Sequence, residues 1–232
     1  MTNDEINVEE LLKTLENGIN DGGHQNFSID KVEEKLKIPK NTLKSIFLDN
    51  DWSFIIKCHA LIEAALNQAI VAVLGFNKLE DVISKIDTSN SSTGKVTIAK
   101  NIGLLNTDKA NSIKIISEIR NNLVHNIKNI DFDIGAYYKN LDKNQQRTLI
   151  DKLLKAGLGD NTEQITQFKN AILPHQKIAV KYLIYSNTIS IISLLLMASE
   201  KITISRKEKD EIFLNMTYII NKLHDKYGKN HD

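Results

Sequence analysis

Cysteine is nearly absent from this 232-residue chain: Cys58 is the only one, and it sits in an apolar run. No disulfide framework can hold the fold, so a reducing cytoplasm is the expected compartment. Proline and glycine are also scarce, at two and ten residues. With long stretches of helical periodicity, that scarcity predicts an all-α protein. An excess of either charge is missing too, with 30 Lys and Arg against 29 Asp and Glu and a formal net charge of +1. Overall charge gives no attraction to nucleic acid, so any RNA contact has to come from a local patch. The longest greasy stretch, residues 182–199, is interrupted by Ser186, Asn187, Thr188, Ser190 and Ser193. It reads as the central helix of a bundle, and no membrane span is expected. The first residues, Met1 to Glu5, are polar and acidic, unlike a signal peptide.

Metal and cofactor signals are also lacking. His24, His59, His125, His175, His224 and His231 are scattered, with no second His or Cys at ligand spacing. Gly94-Lys95 does not make a phosphate loop, because Ser89 stands where the earlier glycine belongs and Val96 where Ser or Thr is needed. No metal and no cofactor are expected.

Periodicity and breakers divide the chain into a helical N-terminal extension, residues 1–48, and a helical bundle, residues 49–232. A helix over 6–19 ends at Asp21-Gly22-Gly23. Residues 28–47 read as two short helices about a turn, the second rich in Lys, Asn, Thr and Ser. They resemble a helix-turn-helix DNA reader, although Lys35 and Lys37 occupy places that favour a small residue and Gly. Asp49-Asn50-Asp51 caps a long apolar helix over 51–75. On it His59, Glu63 and Asn67 follow at intervals of four and form one polar stripe. A polar loop over 87–94 precedes a short helix, 96–102, which Gly103 ends. A helix over 108–128 comes next. Residues 131–173 read as a helical insertion, with a helix over 145–158, flanking the end of the bundle. Two further helices, 175–200 and 205–227, complete the pattern, and the last closes the bundle with Ile212, Phe213, Met216, Ile219, Ile220 and Leu223.

The stretch from Ser117 to Asn126 breaks the patterning. At about 100° per residue Ile113, Ile116, Leu123, Val124 and Ile127 share one helix face, and Arg120 falls within it. A guanidinium cannot lose its charge, so burial demands a carboxylate, a phosphate or carbonyl partners. Glu63 is the only charge between Lys57 and Lys78, and it is expected to lie against Arg120. Asn121 and His125, four apart, share the shoulder of the same face. Arg120 and His125, five apart, point about 140° away from each other and sit about 7.5 Å apart along the axis. One helix cannot aim both at one atom, whereas two copies about a two-fold axis can. The spacing predicts a site at an interface.

Arg120-Asn121-x-x-x-His125 in an Ile/Leu-rich helix resembles the signature of HEPN domains, a family of small helical bundles. The preceding helix, Trp52 to Leu66, makes the stretch from Asp51 to about Asp133 similar to the mannitol-repressor-like branch. The resemblance implies a metal-independent endoribonuclease of toxin or antiphage-defence type, acting as a homodimer, with Arg120 and His125 as the catalytic pair and Asn121 as polar neighbour. It equally admits a non-catalytic regulator or protein-binding module, since the mannitol-repressor branch includes such members. An antitoxin or another protein partner belongs with either reading. His59, Glu63 and Asn67 would support the site. Tyr137, Tyr138, Lys139, Lys143 and Arg147 could supply stacking and phosphate contacts to RNA. A third reading is a DNA-binding regulator acting through residues 28–47.

Overall fold

The computed structural model describes residues 29–125, 127–171 and 176–227. The helix expected over 6–19 lies outside the described residues. The rest is all-α, with ten α-helices and no strand among the described residues: α1 Ile29–Leu36, α2 Thr42–Leu48, α3 Asp51–Leu74, α4 Glu80–Ser84, α5 Lys95–Asn101, α6 Thr107–Val124, α7 Ile134–Asn140, α8 Lys143–Leu158, α9 Thr162–Ala171 and α10 Gln176–Tyr227. Two 3₁₀ turns, Asn77–Leu79 and Ile127–Asp131, join α3 to α4 and α6 to α7.

Local chemistry sets most of the boundaries. Asn50 accepts from the Ser53 N–H at the start of α3, and Asn106 accepts from the Lys109 N–H at the start of α6. Each satisfies an orphan donor of a first turn. α3 stops at Gly75, whose φ of 76° is the left-handed conformation glycine adopts without cost. The motif helix is shorter than expected, ending at Val124 with His125 as its C-cap.

Four helices form the body. Asp51 at the start of α3 binds Lys181 near the start of α10, at 2.9 Å. At the other end the Arg206 guanidinium donates to the carbonyls of Ala72 and Val73, so α3 and α10 run parallel. Asn187 of α10 donates to the Leu153 carbonyl of α8. Lys109, near the start of α6, bonds both Ala156 of α8 and Ser190 of α10. α6 runs against the other three, with its C-terminus toward the Asp51 end, where Asp51 also accepts from the Ile134 N–H.

The core between them is aliphatic: Ile55, Ile62 and Leu66 of α3, Ile113 and Ile116 of α6, Leu153 of α8 and Ile184, Ile191 and Ile192 of α10 are all fully buried. α3 and α10 are long and apolar enough to cross a membrane, but more than half of each apolar window, 56% and 61%, is buried inside the bundle.

Three expectations change on this frame. The helix expected over 145–158 does more than flank the end of the bundle: α8 brings Leu149, Ile150, Leu153, Leu154 and Ala156 into the core. The helices expected over 175–200 and 205–227 are one continuous helix of 52 residues, roughly 78 Å long at 1.5 Å per residue. Of the residues expected to close the bundle with the last of these helices, Met216 is 57% exposed, and the side chains of Ile212, Phe213, Ile219, Ile220 and Leu223 lie outside the described ones. Finally, the residue 28–47 hairpin joins the same core through Val32, Leu43, Ile46 and Phe47. Its turn is held by Glu33, 1% exposed, whose carboxylate accepts from the N–H groups of Asn41 and Leu43 at 2.8 Å each.

Candidate active site at the end of α6

The face of α6 turned to the core is made by Ile113, Ile116, Ile119 and Leu123, with Ser112 and Ser117 between them. Arg120 sits at the margin of that face and is half-buried, while Val124 is 40% exposed. The expected central position of Arg120, with Val124 beside it in the core, is therefore shifted toward solvent by part of a turn. Arg120 Nη1 donates to Asn121 Oδ1 at 3.0 Å. Among the described residues Arg120 forms no ion pair. His125 is exposed, and its backbone N–H donates to the Asn121 carbonyl at 3.3 Å. Asn121 thus binds the guanidinium through its side chain and the His125 backbone through its own.

Beneath Arg120 the polar stripe of α3 is arranged differently from the expectation. Glu63 does not pair with Arg120: its Oε1 accepts from Lys95 Nζ at 2.6 Å. Lys95 is fully buried and also donates to the Ser84 carbonyl at 3.0 Å. Burial alone would raise the Glu63 carboxyl, but the bond and charge of Lys95 outweigh it and hold the group below its usual range. His59, 6% exposed, has its Nδ1 4.0 Å from Glu63 Oε2. Burial lowers the His59 pKa first, Glu63 opposes that, and Arg120 lowers it again, so the imidazole lies within the electrostatic reach of both residues. The link between Glu63 and Arg120 runs through His59 rather than through a direct pair. Asn67, the last member of the stripe, is about 12 Å along α3 from His59 and lines a separate groove.

The residues expected to touch RNA fall into two groups. Lys139, Lys143 and Arg147 are exposed, Arg147 lying 3.6 Å from Asp151. Tyr137 is half-buried, with its ring centroid 5.8 Å from that of Phe132. It lines a pocket of about 350 Å³ with Ile115 and Glu118, and burial and the Glu118 charge raise its hydroxyl pKa. Tyr138 is 5% exposed and belongs to the core, so its ring is withdrawn from any stacking surface. Glu118 stands about 160° round α6 from Arg120, which puts this pocket on a different side of the helix.

The serine and asparagine stripe of α10 serves packing. Ser186 and Asn187 bond the Leu183 carbonyl, and Ser190 accepts from Lys109. Lys95 and Lys109, and the long-range bonds of Asp51, are among the polar features whose importance the sequence did not announce. Each is a charged residue at a helix start whose partners come from distant segments, and no local spacing encodes that. Among the described residues no three His, Cys, Asp or Glu side chains converge as a metal-ligand group. No family model matches this chain, and neither curated proteins nor solved structures yield a match.

Proposed function

We propose that this chain is a HEPN-type, metal-independent endoribonuclease of the cytoplasm, acting as a homodimer whose sites combine Arg120 of one copy with His125 of the other. The observation that carries the reading is the end of α6: a half-buried arginine aligned by Asn121, with an exposed histidine five residues on that points elsewhere. Val124 and Ile130, 40% and 61% exposed, flank His125 with apolar surface suited to a second copy.

In this mechanism the ribose 2′-hydroxyl attacks the adjacent phosphorus. His125 takes the hydroxyl proton or returns one to the leaving oxygen, as a general base or acid. Arg120 stabilises the charge that gathers on the phosphorane oxygens. Asn121 holds the guanidinium through Oδ1, leaving Nδ2 to donate to the phosphate. Glu63, His59 and Lys95 fix the polar floor under Arg120.

The test is degradation of RNA by purified wild type in EDTA beside Arg120→Ala and His125→Ala, with folding checked by circular dichroism. Cleavage that both substitutions reduce by about 10²-fold or more supports the reading. Absence of cleavage by a folded wild-type dimer favours a non-catalytic binding module.

A further inference from the structure

Four segments bring charge to the buried ring of His59. Glu63 stands one turn along α3, Asp87 in the loop that follows α4, Lys95 at the start of α5 and Arg120 near the end of α6. Lys95 takes Glu63 Oε1 at 2.6 Å, and Thr88 bonds the same carboxylate. Glu63 Oε2 lies 4.0 Å from His59 Nδ1, beyond a hydrogen bond to the neutral ring but within reach of a charged one after a small turn of either side chain. Burial leaves little water to screen these charges from one another.

Around a neutral ring the charges balance, Lys95 and Arg120 against Glu63 and Asp87. A proton on His59 leaves one positive charge in excess, close to a guanidinium whose bonded partner is the Asn121 amide and not an acid. Burial lowers the His59 pKa first, with Glu63 against it and Arg120 with it, so the free protein carries a neutral ring at neutral pH. A phosphodiester on Arg120 brings one negative charge and tips the balance the other way. A proton on His59 then restores it.

We infer that an RNA phosphate on Arg120 and a proton on His59 are bound together, each tightening the other, so that His59 makes substrate binding at this site respond to pH. The inference rests on the ribonuclease reading and names a control of the same site. The phosphate offsets the Arg120 charge that opposes protonation, and the charged Nδ1–H closes on Glu63 Oε2. The protonated ring in turn adds attraction for the phosphate, and by linkage the two effects are equal in size. Being buried, His59 acts through its field and does not touch the substrate.

The test measures binding of a rhodamine-labelled 2′-O-methyl oligouridine by fluorescence anisotropy at fixed salt. This probe lacks the attacking hydroxyl, and uracil does not titrate in acid. His125→Ala is the background, so the exposed histidine contributes no proton. Binding is expected to tighten about fivefold as pH falls from 7.5 to 5.0, and by less than about twofold when His59→Gln is added. The His59 ring signal, followed by NMR in the His125→Ala chain, is expected to titrate at higher pH with the oligonucleotide present, a readout that needs no change at His59. An equal pH response with and without His59, or a His59 titration that the oligonucleotide leaves in place, would overturn the inference and leave the ribonuclease reading standing. Binding at pH 7.5 that Arg120→Ala does not weaken would instead overturn that reading, and the inference with it.

Discussion

Burial holds the pKa of His59 below its ordinary 6.5, with Glu63 pulling it up, Arg120 down, Asp87 up and Lys95 down. The folded state therefore favours neutral imidazole, while the unfolded chain takes up a proton as pH falls through 6.5. Stability from this group is complete above that value and is lost as pH falls through the lower folded value. Urea midpoints measured at pH 7.5 and 5.5 are expected to drop more for wild type than for His59→Gln; equal drops would show that His59 is not the titrating group. The Glu63–Lys95 pair gives an asymmetric expectation. Removing Glu63 strands a fully buried ammonium and costs about 3 kcal/mol, whereas Lys95→Met leaves a carboxylate that is one-third exposed and costs about 1 kcal/mol. Urea denaturation of Glu63→Ala and Lys95→Met tests the order, and equal losses would contradict it. Cys58 offers a third check. Burial pushes its thiol up to about 12, so a thiol reagent such as DTNB is expected to label it only in denaturant.

At the scale of elements, boundaries written by adjacent residues were legible: Asn50, Asn106 and Gly75 cap or end helices near the residues that the pattern marks. The boundary expected near residue 200 was not real, because no Gly or Pro stands between Ala198 and Arg206 to break the helix. Arg206 instead fastens that helix to the end of α3, where it fits because residue 75 has no side chain. A Cβ on Gly75 would lie 2.4 Å from Arg206 Nη1, and φ there is +76°. Gly75→Ala is accordingly expected to cost about 1 kcal/mol or more, with Arg206→Ala recovering part of the clash, as a thermal-unfolding double-mutant cycle would report. Glu33 shows the opposite limit of sequence reading. Nothing in its local sequence sets this glutamate apart from the charges around it, yet two N–H groups at the start of the next helix end on it, one of them ten residues away.

For the molecule as a whole, helical class follows from scarce breakers and 3.6-residue periodicity, and the parallel run of α3 and α10 follows from bonds at both ends. The position of Arg120 was legible only in part: the pattern puts it within the apolar face of α6, and the fold puts it at the margin, half-buried. What surrounds it was not legible. Glu63 was the lone charge on its helix, but a lone charge does not name its partner, and Lys95 claimed it from across a loop. Arg120 acts across the fold on His59 of α3, a segment whose placement against α6 depends on the packing of the entire bundle. The proposed site then needs one level more, a second copy of the chain, because α6 separates Arg120 from His125 in direction and along its axis.

Mixing the two inactive variants tests that claim most directly. Arg120→Ala and His125→Ala are unfolded together, refolded as a mixed population and assayed on RNA beside each parent. Half-and-half mixed dimers carry one complete site each, so the account predicts recovery to about a quarter of the wild-type rate per chain. A mixture containing verified mixed dimers but as inactive as its parents would contradict a site shared between two copies.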